Sequence, residues 1–199
     1  MSRQVVLATG NAGKIRELQN MLDDSGIVCR AQSEFDVPEA VEDGLSFVEN
    51  AIIKARNACR HSGLPAIADD SGLEVAALRG APSIYSARYA GDHASDQDNV
   101  AKLLNDLAEV NDDQRQARFV CAMVFMRFAE DPVPIVCTGT WEGRILRDPI
   151  GDNGFGYDPV FLAPETGVSA AQMDKSEKNA ISHRAKALSY LVPALTKET

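Results

Sequence analysis

Two adjacent carboxylates, Asp69 and Asp70, follow the apolar run Ala66-Ile67-Ala68 and precede Ser71-Gly72. Neighbouring carboxylates repel each other, so one of them has its pKa raised unless a cation compensates. Mg2+ is a suitable cation, because it takes one or two carboxylates and completes its shell with water and phosphate oxygens. The same pair offers a proton acceptor for an attacking water. In a regular strand the two side chains point to opposite faces, but Gly72 can bend the chain and spoil that alternation. Taken alone, the segment reads equally as an acidic turn with Asp as a cap.

Thr9-Gly10-Asn11-Ala12-Gly13-Lys14 lies between an apolar run and an amphipathic stretch. Glycines let backbone N–H groups crowd an anion, and a helix N-terminus adds a favourable dipole. Lys14 would place a point charge on a phosphate. The segment is not a P-loop, which needs Gly where Ala8 stands and Ser or Thr where Ile15 stands. An ordinary strand-to-helix turn has the same composition. The acidic loop at residues 39–44 carries Glu39, Glu42 and Asp43, any of which could complete a metal site. Lys54, beyond it, could reach a phosphate. The alternative is an exposed loop and a solvated helix face. Residues 151–159 are rich in Gly and hold Phe155, Gly156, Tyr157 and Asp158. A base stacked on an aromatic ring gains about 1–3 kcal/mol in nucleic-acid systems; a bulge anchored by one aromatic is the competing reading. Lys178 and Ser182-His183-Arg184 place positive charge at a helix start, against the dipole, which a nearby anion or acceptor would excuse. For Lys178 a surface turn explains as much.

These residues need elements to hold them. Residues 5–8 predict a strand. A helix is expected from Lys14, with Ile15, Leu18 and Leu22 on one face, ending near Ser25-Gly26. A strand follows at 27–31. Ser46 with Glu49 forms a capping-box pattern for a helix running to about His61. Its buried face is expected to be Val48, Ala51, Ile52, Ala55 and Cys59, and its polar face Asn50, Lys54 and Asn57. Residues 66–68 predict a buried strand ending at the aspartate pair, where α/β proteins place ligands. Ser95 caps a helix through Leu107. Residues 120–128 and 135–145 predict long strands joined by a turn at Glu130-Asp131-Pro132. Ser182 caps a last helix that turns Ala185, Leu188, Leu191, Val192 and Leu195 inward. Alternating strands and helices with an inserted hairpin imply an α/β fold with a mixed sheet.

The bulk properties narrow the function classes. A chain of 199 residues with 45% hydrophobic and 25% charged residues can bury a real core. No apolar run approaches a membrane span, and MSRQVVLATG is too short in apolar residues for a secretory segment, so a cytoplasmic location is expected. Cys29, Cys59, Cys121 and Cys137 show neither CxxC pairing nor zinc spacing and read as reduced core residues. A formal net charge of −9 without a basic stripe excludes a nucleic-acid polymer as partner. A small anion is still allowed, since a local pocket of lysines, N–H groups and metal outweighs screened distant charge.

In order along the chain, TGNAGK, EDGLSFVENAIIKA, ADDSGLEV, GAPSIYSARYAG, GFGYDPVF and EKNAISHRAKAL resemble the inosine triphosphatase-like family of noncanonical purine nucleoside triphosphate pyrophosphatases. The length and spacing look like a bacterial member acting on dITP, ITP and XTP. The resemblance implies one domain over 1–199 with two lobes. Its α/β fold would have an elongated mixed sheet flanked by helices and an active site in the cleft between the lobes. It also implies a homodimer and Mg2+-dependent hydrolysis to monophosphate and pyrophosphate. Carried over by position, Thr9, Gly10, Asn11, Ala12, Gly13, Lys14 and Lys54 would hold the triphosphate. Glu42 and Asp70 would hold Mg2+, with Asp70 also the proton acceptor, Asp69 beside it and Ser71 touching substrate. Phe155, Gly156, Tyr157 and Asp158 would hold the base, Phe155 stacking on it, and Lys178, His183 and Arg184 would read its edge. Two rival functions share much of this chemistry: a pyrophosphatase for other modified nucleotides, and a nucleotide-sensing module that binds without hydrolysis.

Overall fold

The computed structural model describes residues 3–197. Along them run β1 (Arg3–Leu7), α1 (Ala12–Leu22), β2 (Ile27–Ala31), α2 (Phe47–Ser62), β3 (Ala66–Val75) and α3 (Asp96–Asp106). Then follow β4 (Gln116–Met126), β5 (Ile135–Ile145), β6 (Phe161–Ala163), β7 (Val168–Ser169), α4 (Lys175–Ile181) and α5 (His183–Lys197). The strands make one mixed sheet in the order β2-β1-β3-β4-β5-β6-β7. β1 is parallel to β2 and to β3, with Val6 opposite both Arg30 and Ala66. β5 and β6, and β6 and β7, are antiparallel.

Local chemistry accounts for the helix ends. Asn11 caps α1, its side chain accepting from the N–H groups of Gly13 (2.8 Å) and Lys14 (3.1 Å). The helix therefore starts at Ala12, and Lys14 lies within its first turn rather than at its start. Ser46 caps α2, its hydroxyl oxygen accepting from the Glu49 N–H while the Glu49 carboxylate accepts from the Leu45 N–H and the Ser46 hydroxyl, and Gly63, at φ 68°, closes it with an N–H bond to the Cys59 carbonyl. At the start of α3 Ser95 and Asp98 cap reciprocally, each side chain accepting from the other's N–H.

Three expectations change. β3 does not end at the aspartates; it runs through Asp69-Asp70-Ser71-Gly72 to Val75, so Gly72 does not break the alternation. β4 stops at Met126 because Asp131 gathers the N–H groups of Arg127 (3.0 Å) and Val133 (3.0 Å) and the Arg127 guanidinium into a turn. On α2 the buried residues are Phe47, Asn50, Ala51, Ala55, Ala58 and Cys59, so Asn50 belongs to the buried face, not the polar one. β6, β7 and α4 carry too few residues for periodicity to reveal them.

The chain divides into two compact units. The first takes Met1–Asp70, Cys121–Gly139 and Arg184–Thr199; its core joins Val5 and Leu7 of β1, Leu18 and Leu22 of α1, Ile67 of β3, Met123 and Phe125 of β4, and Leu188, Leu191 and Leu195 of α5. The second takes Ser71–Val120 and Thr140–His183; its core is built around Leu73, Leu103, Phe119, Trp141, Tyr157 and Phe161. All four cysteines are free thiols. Among the described residues, no helix is long and apolar enough to cross a membrane.

Candidate functional site

In the first unit, α1, α2 and α5 each bring side chains to the aspartate pair of β3. Strand alternation divides those partners between the two carboxylates. Asp69 is fully buried. Its Oδ1 faces Lys14 Nζ of α1 at 3.1 Å, and its Oδ2 accepts from Arg184 Nη2 and Nε of α5 at 3.0 and 3.2 Å. Asp70 faces α2: Lys54 Nζ lies 2.7 Å from Oδ1, and Asn50 Nδ2 donates to Oδ2 at 3.4 Å. Lys54 also reaches Glu42 Oε2 at 3.1 Å, so one ammonium bridges Glu42 and Asp70. Asn50 Oδ1 meanwhile accepts from the Gly44 N–H at 2.9 Å, tying the acidic loop to α2.

The pair is split electrostatically. Burial opposes charging Asp69, but Lys14, Arg184 and Lys54 outweigh it and hold that carboxyl well below the ordinary range. At Asp70 burial wins over Lys54 and Lys14, with Glu42 adding to it, and the pKa is raised. Burial likewise opposes charge on Lys54, yet the Asp70, Asp69 and Glu42 carboxylates keep its pKa above the ordinary lysine value.

The turn before α1 is largely self-satisfied. The Asn11 N–H donates to Thr9 Oγ1 at 3.1 Å, and Asn11 Oδ1 occupies the N–H groups of Gly13 and Lys14. Of the N–H groups expected to cradle phosphate, those of Thr9, Asn11, Gly13 and Lys14 therefore already have acceptors, and Lys14 is the turn's clearest charge. At Gly10 a Cβ would meet nothing closer than Gln32 Nε2 at 3.8 Å, so packing does not demand glycine there.

The second unit assembles the Gly-rich loop. Asp158 is buried, and its Oδ2 accepts from the Phe155 N–H at 2.9 Å and from Lys178 Nζ at 2.6 Å. The Lys178 ammonium lies 4.9 Å from the centre of the Phe155 ring. Lys178 is therefore not a surface residue; it is 6% exposed. The Gly156 N–H donates to Asp96 of α3 at 2.7 Å. Tyr157 departs from its expected place at the base: its ring lies in the core and its hydroxyl donates to the Ser86 carbonyl at 2.8 Å, so it anchors the loop. His183 stacks on Phe119, with ring centres 4.8 Å apart and planes 15° apart. Ser71 continues β3, half-buried.

A strand carrying two carboxylates against two lysines, with a separate aromatic loop, is specific enough to compare with known proteins. The sequence profile of the Ham1 family matches residues 5–194. The chain belongs to the Ham1 family. It is 58% identical to a dITP/XTP pyrophosphatase of Vibrio cholerae serotype O1, over 98% of each chain. It is 56% identical to that of Escherichia coli (strain K12), over 97% of this chain and 98% of the other. A HAM1 protein from Coxiella burnetii superposes with a TM-score of 0.90 at 49% identity, covering 98% of this chain and 99% of that one.

Within this Ham1 chain, Lys14, Lys54, Glu42, Asp69 and Asp70 come together, as the resemblance implies. Arg184 joins them, its Nε, Nη1 and Nη2 donating to the carboxylates of Asp69 and Glu17. Glu17, Asp96 and Phe119 have no expected role, and Asn50 is expected only on the polar face of its helix. Asn50 and Glu17 carried a usable signal, since each lies within one helical turn of a candidate lysine; Asp96 and Phe119 carried none.

Proposed function

We propose that this Ham1-family chain hydrolyses dITP, ITP and XTP to monophosphate and pyrophosphate, removing them from the nucleotide pool. The observation that carries this is the convergence of Lys14 and Lys54 on the Asp69-Asp70 pair. Such an arrangement binds polyphosphate and activates water in one place, and a sensor has no need of the second task. The relatives named dITP/XTP pyrophosphatases support dITP and XTP among these substrates.

In this reading Asp70, whose proton affinity burial raises, takes a proton from water as the water oxygen bonds to the α-phosphorus. The α–β bridging P–O bond breaks and its electron pair leaves with pyrophosphate. Lys14 and Lys54 offset the charge that moves onto the leaving group. Among the described residues no cluster of three or more His, Cys, Asp and Glu forms a ready metal cage. Glu42 and Asp70, however, are hard oxygen donors already bridged by one cation, and Mg2+ is content with one or two carboxylates when phosphate supplies the rest. They would hold Mg2+, which when bound would polarise phosphate oxygens. Thr9 to Gly13 would line the triphosphate and Ser71 would touch it. In the second unit Phe155 would stack on the base, supported by Gly156 and Asp158. Lys178, His183 and Arg184 would read the base edge, with His183 or Arg184 donating to the 6-keto oxygen, and adenine's 6-amino group would leave those donors unpaired. The resemblance also supports a homodimer in the cytoplasm.

The test is one substrate panel of dITP, ITP, XTP, ATP and GTP, with Mg2+ and with chelator, resolving pyrophosphate from orthophosphate. Pyrophosphate released from the first three, and lost with chelator, is expected. Intact dITP in abundant Mg2+, or orthophosphate as the product, would overturn the reading.

A further inference from the structure

Four charges alternate through the interior of the first unit: Lys14 of α1, Asp69 of β3, Arg184 of α5 and Glu17 of α1. Lys14 Nζ lies 3.1 Å from Asp69 Oδ1, Arg184 Nη2 lies 3.0 Å from Asp69 Oδ2, and Glu17 Oε2 accepts from Arg184 Nη1. The Asp69 side chain is 0% exposed, that of Arg184 2%, and that of Glu17 16%. Lys14 and Glu17 are three residues apart, hence on the same face of α1, and the helix delivers both ends of the series.

The guanidinium is planar and its donors are fixed in a fork. With Nε and Nη2 both on one oxygen of Asp69, the Arg184 head could still tip about that contact. A second carboxylate on Nη1 removes this freedom. Charge balance points the same way. Two cations and two anions alternate, and removing the terminal anion would leave Arg184 to draw Asp69 towards itself and away from Lys14. Breaking one member of a buried charge set is costly because its partner is left uncompensated.

We propose that Glu17 is a positioning residue: through Arg184 it fixes Asp69, and through Asp69 it places the Lys14 ammonium for the polyphosphate. This rests on the reading of Lys14 as a phosphate contact. Glu17 does none of the bond making, and Arg184 acts here by holding Asp69.

Glu17→Gln keeps the side-chain shape and removes the charge, while Glu17→Asp keeps the charge on a shorter arm. Each is measured for kcat and KM with dITP, for calorimetric affinity for inorganic pyrophosphate, and for melting midpoint. Misplacing a reacting group by about 1 Å can cost about a hundredfold. The expected result is therefore a kcat lowered about tenfold or more in Glu17→Gln, with Glu17→Asp in between and a KM changed far less than kcat. In an Arg184→Lys background Glu17→Gln should cost no further than about twofold, because its route is already cut. A kcat in Glu17→Gln within about twofold of wild type would overturn the proposal. So would the same loss in both backgrounds, or a Glu17→Asp no better than Glu17→Gln. A purely structural role would lower the melting midpoint and leave kcat intact below it. If wild type left dITP untouched, the hydrolytic reading would fall. Pyrophosphate affinity would then decide this one, with about tenfold weakening in Glu17→Gln in favour and equal affinity against.

Discussion

Asp69 and Asp70 are chemically identical neighbours in β3 with opposite environments. Asp69 is held ionised by Lys14 and Arg184, and Asp70 has a raised proton affinity. A carboxylate tied to two cations is a poor proton acceptor, because protonation would forfeit both contacts. In the proposed reaction this favours Asp70 over Asp69 as the proton acceptor. Asp70→Asn keeps a similar shape and a group for Lys54 to bond, so it is expected to remain folded by circular dichroism while turnover with dITP falls by about 10²–10⁴-fold, the usual worth of a positioned base. Near-wild-type turnover in that variant would move the role elsewhere. Tyr157 makes the contrasting residue-level case. Its hydroxyl satisfies the Ser86 carbonyl inside the core, and losing it strands a buried acceptor at a cost of about 1–3 kcal/mol. Tyr157→Phe is therefore expected to lower the denaturant midpoint while raising KM for dITP much less than Phe155→Ala does. A KM effect as large as that of Phe155→Ala would return Tyr157 to the base.

The elements decide which of these side chains meet. α2 faces the aspartates with Asn50 and Lys54, and the acidic loop folds onto its first turn through the Gly44 N–H bond to Asn50. A Cβ on Gly44 would lie 2.7 Å from both Asn50 Oδ1 and Glu49 Cβ. Neither is the loose end of a flexible chain, so the loop itself must shift. Gly44→Ala is expected to destabilise by about 1–3 kcal/mol and to raise the Mg2+ concentration needed for half-maximal activity, since Glu42 lies on the displaced loop. An unchanged metal requirement would free Glu42 from that role. Much at this scale was legible in the sequence. The Ser46 and Ser95 caps are local chemistry, and so are the apolar stripes of α1 and α5. The strand 27–31 matches β2 residue for residue. What escaped is what distance in sequence conceals. Asn50 looks solvent-facing until β3 is laid against it. Nothing local announces that Arg184 meets Asp69 and Glu17, which lie far from it in sequence. The aspartates look like a strand end because nothing local says that β3 continues to Val75. β6 and β7 hold three and two residues, below the length at which alternation is a signal.

For the whole molecule, each unit has its own apolar core, and a formal net charge of −9 means that acid first relieves overall repulsion. Stability must nonetheless fall at low pH, because particular carboxylates are bound as anions. Asp131 is the clearest case away from the candidate site. The Arg127 guanidinium, then the Arg127 and Val133 N–H groups, outweigh its partial burial and hold its carboxyl well below the ordinary value. A carboxyl with a depressed folded-state pKa contributes its stability above the unfolded value, about 3.9 for Asp. That contribution is lost as the pH falls from there towards the folded-state pKa, since the unfolded chain then binds the proton first. The melting midpoint of wild type should therefore drop between about pH 5 and pH 2. Asp131→Asn should start lower at neutral pH, having lost its charge-assisted bonds to Arg127, and should lose less over the same acid range. Parallel curves for the two proteins in a pH series of thermal melts would show that the turn after β4 is not where acid acts, and would shift the cause to other sites such as Asp69, a buried carboxylate also held well below its ordinary range.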